Sequence, residues 1–158
     1  MKPEVHYCKS WFRLKKTAIE PCDDTVARSR HVSGLPYTAL IGSASKPACF
    51  VELLIDKRMI GVGFLDAMLR EYLTYQFQKE ADGKLFLSMV THRDFLEGSD
   101  KVEEGTTYIF QPSGELVIRK EHFYPHKLEE AHSNFDPLRN YEAFPEFGEY
   151  LELIKLDR

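Results

Sequence analysis

The chain has 158 residues, 43% hydrophobic, 13% aromatic and 29% charged, enough apolar material for one packed domain and too much for a disordered chain. Its formal net charge is −4: residues 1–30 hold seven Lys/Arg against four Asp/Glu, residues 31–120 ten against twelve, and residues 121–158 four against nine. That layout lacks the clustered positive face of a nucleic-acid binder, and no apolar run approaches the roughly 20 residues of a spanning helix.

The N-terminus, Met1 to His6, places no apolar stretch behind Lys2, so a signal peptide is not expected. Cys8, Cys22 and Cys49 are odd in number and widely spaced, a poor disulfide framework. The expectation is three reduced thiols in a cytoplasmic protein. Val5 to Leu14 reads as an edge strand carrying Trp11, with Lys15 and Lys16 at its exit. Residues 17–35 show no clear period, although Asp23-Asp24-Thr25 could cap a short helix. Tyr37 to Ile41 suits a short strand, and Gly42 to Pro47 a loop.

Cys49 to Asp56 and Met59 to Asp66 read as a strand pair turning at Lys57-Arg58. Within the second strand Ile60, Val62 and Phe64 alternate with Gly61 and Gly63. Two glycines on one face indicate a bulge, or another backbone or ring lying close. From Leu69 to Gln78 apolar and polar residues alternate, the mark of a half-buried strand. Asp82-Gly83 then turns the chain into Lys84 to Thr91. A further hairpin joins Thr106–Phe110 to Leu116–Lys120 through Gln111-Pro112-Ser113-Gly114. His122 to Ala143 is polar, holds Pro125 and Pro137, and reads as a long connection. After Pro145, the spacing of Phe144, Phe147, Leu151 and Ile154 suits a helix, with a strand over Tyr150–Leu156 as its rival.

The fold class predicted is α+β in one domain, 1–158: mainly an antiparallel meander, as a curled sheet or half-barrel, with one or two short helices packed on it.

Chemistry-bearing motifs are scarce. His6 with Cys8 and His122 with His126 are isolated pairs, short of the ligands a metal site requires. Gly61-Val62-Gly63 lacks the third glycine of a dinucleotide fingerprint. No nucleophile elbow exists around Ser43 or Ser45, and Cys49 sits in a predicted strand where a buried inert thiol is the default. The expectation is no catalytic residue, no metal and no cofactor. Trp11, Phe12, Phe123, Tyr124, Phe135, Tyr141, Phe144 and Phe147 lie outside the central hairpins. Any left exposed beside acidic residues would make an interface with aromatic anchors and a charged rim.

Thr106 to Ile118, an aromatic-rich hairpin with a Pro-Ser-Gly turn, resembles a hairpin of bacterial immunity proteins, the cytoplasmic partners that neutralise polymorphic or contact-dependent toxins. Phe144-Pro145-Glu146-Phe147-Gly148-Glu149-Tyr150 is similar to C-terminal segments of the same proteins. The resemblance implies a small, acidic, cytoplasmic protein without catalytic machinery and assigns no residue a role. It makes the expected partner a toxin domain, with no nucleic acid and no membrane. From charge and predicted exposure, the contact candidates are Asp100, Glu103, Glu104, Tyr124, Glu129, Glu130, Tyr141 and Glu142. The alternative is a small-ligand or enzymatic pocket in a curled sheet, lined by Gly61, Gly63, Tyr72, Tyr75 and His92.

Overall fold

A computed structural model describes residues 2–158. Eleven strands form one sheet in which every pairing is antiparallel: β1 Val5–Phe12, β2 Thr17–Cys22, β3 Tyr37–Ile41, β4 Cys49–Leu54, β5 Met59–Leu65, β6 Glu71–Lys79, β7 Leu85–Phe95, β8 Val102–Phe110, β9 Glu115–Phe123, β10 His126–Asn134 and β11 Tyr141–Glu142. The spatial order is β10-β9-β8-β7-β6-β5-β4-β3-β1-β2, and β11 pairs with the start of β7. The helix α1, Asp24–Val32, is capped by Asp23, whose side chain accepts the Val26 N–H at 3.0 Å. The sheet is open, because its end strands β10 and β2 do not pair.

Period-two alternation builds two faces. On the first, Tyr37 and Ala39, Val51 and Leu53, Ile60 and Val62, Tyr75 and Phe77 form the main core. Ala27 of α1 and a C-terminal segment bearing Phe144, Phe147, Tyr150, Leu153 and Ile154 cover it. On the second face a smaller cluster unites Cys8, Trp11, Leu40, Phe50 and Leu65. Here lies the reason for Gly63: a Cβ there would stand 2.3 Å from Phe50 Cζ, so the ring rests directly on the backbone.

The sheet curves toward this second face. Arg13, just past β1, donates to Glu52 on β4 at 2.6 Å and to Glu71 on β6 at 2.9 Å. In a flat sheet β1 and β6, with β3, β4 and β5 between them, would lie about 19 Å apart, beyond one arginine's span. Lys16 in the β1–β2 turn likewise reaches Asp100 in the β7–β8 turn, at 2.9 Å.

The predicted hairpins are present: β4–β5 and β8–β9 pair in unbroken register, and β6–β7 pair with one register shift between Gln76 and Phe77. In the last turn Gly114, at φ +95°, donates to Gln111 O at 2.9 Å, a left-handed position that glycine adopts without strain. The α-helix starts where Asp23-Asp24-Thr25 placed it.

Three expectations change. β1 is not an edge, since β2 pairs outside it. β2 carries Pro21, which an edge strand tolerates, and its mostly exposed side chains gave no apolar period. The stretch from His122 to Ala143 is no long connection. Strand β9 runs through Phe123, β10 follows after two residues, and a 3-10 turn at Pro137–Asn140 leads to β11. The C-terminal segment is neither helix nor strand but successive turns, with Glu149 N–H bonded to Glu146 O and Leu153 N–H to Tyr150 O. Gly148, at φ +87°, breaks any helical path there. Its apolar residues still pack on the core, and Tyr150 Oη meets Tyr37 Oη at 2.9 Å. Leu151 points out.

Candidate functional site

Strands β8, β9 and β10 form a wing on which no strand residue is buried. The cover on the first face ends near β7, where Leu85 and Leu87 are the last core residues of the meander. An antiparallel sheet ordinarily hides one face. This one leaves both open.

The wing's first face is a lattice of opposite charges. Glu104 takes Lys120 at 3.0 Å and His122 at 3.4 Å, and Lys127 pairs with Glu129 at 3.0 Å. The bond to Glu104 holds the Lys120 ammonium above its ordinary pKa, and Lys127 holds the Glu129 carboxyl below its own. On the second face Arg119 donates to Glu130 at 2.9 Å, His132 meets Glu130 at 3.3 Å, and His126 meets Glu121 at 2.8 Å. Arg119 and His132 hold the Glu130 carboxyl below its usual value.

Beneath these charges the second face is concave. A hollow of about 480 Å³ is lined by Met89, Val102, Ile109, Phe123 and Leu128 together with Arg93, Arg119 and Glu121. Beside it lies a second hollow of about 570 Å³, walled by Trp11, Leu65, Leu69 and Phe95. Arg93 lines both. It donates to Thr74 Oγ1 at 2.8 Å and forms no ion pair among the described residues.

Six of the eight predicted contact residues fall on or beside the wing. Asp100 sits in the β7–β8 turn and Glu103 is exposed on β8. Glu104 and Glu129 occupy the first face, and Glu130 the second. Tyr124, 60% exposed, lies in the β9–β10 turn beside the half-exposed Phe123. Tyr141 and Glu142 lie elsewhere, at the far end of β7. Tyr141 packs on Phe86 with ring centroids 5.0 Å apart, and Glu142 accepts from Arg158 at 2.8 Å and Lys155 at 3.4 Å. The Glu104 partner Asp94 is eight residues from Phe86 along β7, about 27 Å of strand. Of the other aromatics singled out, Trp11 stacks on Phe50, Phe147 on Tyr7, and Phe135 packs on Phe110.

The five residues proposed for an interior pocket do not meet. Gly61 and Gly63 look onto the second face, beneath Glu52 and Phe50. Tyr75 belongs to the core of the first face, where Tyr72 packs on Phe64 and His92. The sheet itself separates the two groups.

Among the described residues no three His, Cys, Asp or Glu side chains converge as metal ligands. His122 and His126 project from opposite faces, because His126 pairs with Phe123 and His122 with Lys127. The thiols are free. Burial pushes Cys8 up to about 11 and Cys49 up to about 12, leaving both protonated at neutral pH.

No protein family, curated protein or solved structure matches the chain.

Arg93, Arg119, Leu128 and His132 carry no individual mark in the sequence reading, whereas Phe123 stands there among the possible aromatic anchors and His126 in an isolated histidine pair. Leu128 and His132 lie in the stretch read as a connection, where the order His126-Lys127-Leu128-Glu129-Glu130 is the available signal.

Proposed function

We propose that this chain is a binding protein of the immunity type, which occludes a toxin domain with the β8–β10 wing. One observation carries the reading: three adjacent strands of a well-packed sheet keep all their side chains out of the core. The wing offers what a protein contact uses, a concave apolar floor, aromatic side chains at its tip and a rim of carboxylates. Over residues 102–134 six Glu stand against three Lys/Arg, a balance of −3, which favours a basic partner. Binding there would silence an enzyme by covering it, without chemistry by this chain.

The reading requires a toxin domain encoded beside this chain in its genome, and the test is co-expression with it, read by co-purification and by growth. The expected result is a stoichiometric complex and restored growth. In Glu103→Lys/Tyr124→Ala, which alters neither the core nor β10, affinity should fall at least about tenfold. Wild-type protein that neither binds nor protects would overturn the function, and full binding by the variant would overturn the site.

Arg93 favours a second reading. An unpaired guanidinium between two partly apolar hollows suits a small carboxylate with an apolar body. A thermal-shift screen of such acids would show a rise in Tm that Arg93→Met abolishes. No rise with any acid would retire this reading.

A further inference from the structure

Strand β10 ends the sheet with all nine residues exposed, and an open edge is a template for one more strand. The ladder fixes which backbone groups are free. Phe135 N–H donates to Gly114 O, in the same register that pairs β10 with β9. In alternation from there, Ser133, Ala131, Glu129 and Lys127 turn N–H and C=O toward β9. His126, Leu128, Glu130 and His132 turn theirs to the open side. An added antiparallel strand must match outward residues with outward residues.

Side chains then select the partner. His126 and Lys127, then Leu128, then Glu129 and Glu130 make a sequence whose charge inverts about Leu128. Laid antiparallel against itself with Leu128 opposite Leu128, it sets Lys127 opposite Glu129 and His126 opposite Glu130, each twice. Centring the pair on Lys127 opposes two lysines, and centring it on Glu129 or Glu130 opposes two glutamates. Directly opposed like charges destabilise a strand pair and unlike charges stabilise it.

We propose that β10 pairs with β10 of a second copy of this chain, antiparallel, about a two-fold axis through Leu128. The contact is isologous and closes on itself. Leu128 and Glu130 are outward residues, so the hydrogen-bonded pairs are Leu128 with Leu128 and His126 with Glu130. Lys127 and Glu129 fall at the closer, non-hydrogen-bonded spacing. In the single chain Lys127 is held by Glu129 of its own strand, and pairing exchanges that partner for the same residue of the other copy. The axis stands normal to the sheet, so both concave second faces lie on one side of a continuous surface. Charges of one sign along β10 would keep copies apart, and this inverted pattern does not. Five residues a side bury less than a standard interface, so the dimer is weak and concentration-dependent.

The test is sedimentation velocity on the full chain alone, over a concentration series at low salt. Wild-type protein should move from monomer toward dimer, and added salt should weaken the dimer. Lys127→Glu turns both Lys–Glu pairs into Glu–Glu pairs and should raise the dimer Kd about tenfold or more. Lys127→Glu/Glu129→Lys restores the inverted pattern and should return Kd to within about threefold of wild type. Positions 127 and 129 are exposed, so neither variant disturbs the core. Three results would overturn the proposal: a wild-type monomer at every concentration, a dimer indifferent to Lys127→Glu, or a double variant no better than the single one. The outcome does not depend on the toxin-binding reading, because no partner is present.

Discussion

Replacing Gly63 with alanine adds one methyl group where the fold has no room for it. Three ring atoms of Phe50 would lie at 2.3, 2.6 and 2.9 Å from the new Cβ. Phe50 is 0% exposed and cannot simply swing away, since Trp11 stacks on it at 6.3 Å and the Arg13 guanidinium lies 4.9 Å from its centroid. Overpacking of this kind costs about 1–3 kcal/mol, against a propensity gain of about 0.5–1 kcal/mol for alanine over glycine in a strand. The difference spans about 0–2.5 kcal/mol, and because the ring is held on both sides the net loss should fall in the upper part, about 1–2.5 kcal/mol, a Tm fall of roughly 2–10 °C for a chain of this size. Gly61→Ala is the control: its Cβ would meet the flexible Glu52 carboxylate at 3.5 Å, an ordinary contact. That variant should match or exceed wild type. Urea unfolding of both, and of Gly63→Ala in a Phe50→Ala background, measures the coupling. With the ring gone, Gly63→Ala should cost nothing further. An alanine at 63 as stable as glycine, or equally harmful without the ring, would refute the account of how the second face is packed.

The Asp66 carboxyl is pushed up by burial, but the Arg70 N–H and guanidinium and the Met68 N–H more than offset this and hold it below its ordinary value. A depressed carboxyl contributes stability that is complete above its unfolded pKa and is lost as pH falls through its folded pKa. Asp66→Asn should therefore cost about 1 kcal/mol near pH 7, and the deficit against wild type should shrink below about pH 4; an unchanged deficit in urea titrations at pH 3 would contradict this. Of the three cysteines, Cys8 and Cys49 are buried while Cys22 is half-buried, so a thiol reagent at pH 8 should label at most one thiol in the native protein and all three in urea. Rapid native labelling of Cys49 would show that its strand is not closed as described.

Strands were legible where burial wrote a period into them. β3 through β7 bury at least one face, and alternation such as Leu73, Tyr75, Phe77 marks it. β8 and β9 were found through their turn, Gln111 to Gly114, more than through their faces. β2 and β10 left no mark because hydrogen bonding to a neighbour, not burial, makes them strands, and edges of that kind accept any polar side chain. The candidate site was divided for the same reason. Charge placed Glu103, Glu104, Glu129 and Glu130 in one region. Tyr141 and Glu142 were grouped with them because β10, unseen, carries the chain back down the sheet before β11 begins. The C-terminal aromatics Phe144 and Phe147 pack on the core instead of standing exposed as contact anchors, and Gly148 turns a helical spacing into a chain of turns.

The claim that the wing is the contact surface meets its most direct test in hydrogen–deuterium exchange of this chain with and without the toxin domain that the proposal requires as its partner. Both samples would be kept dilute enough that the chain alone is monomeric. Slowed exchange confined to peptides spanning 100–134, with the rest of the sheet unchanged, is the result expected. Protection centred instead on α1, on β1–β2 or on the C-terminal turns, with the wing exchanging as fast as in the free chain, would contradict it.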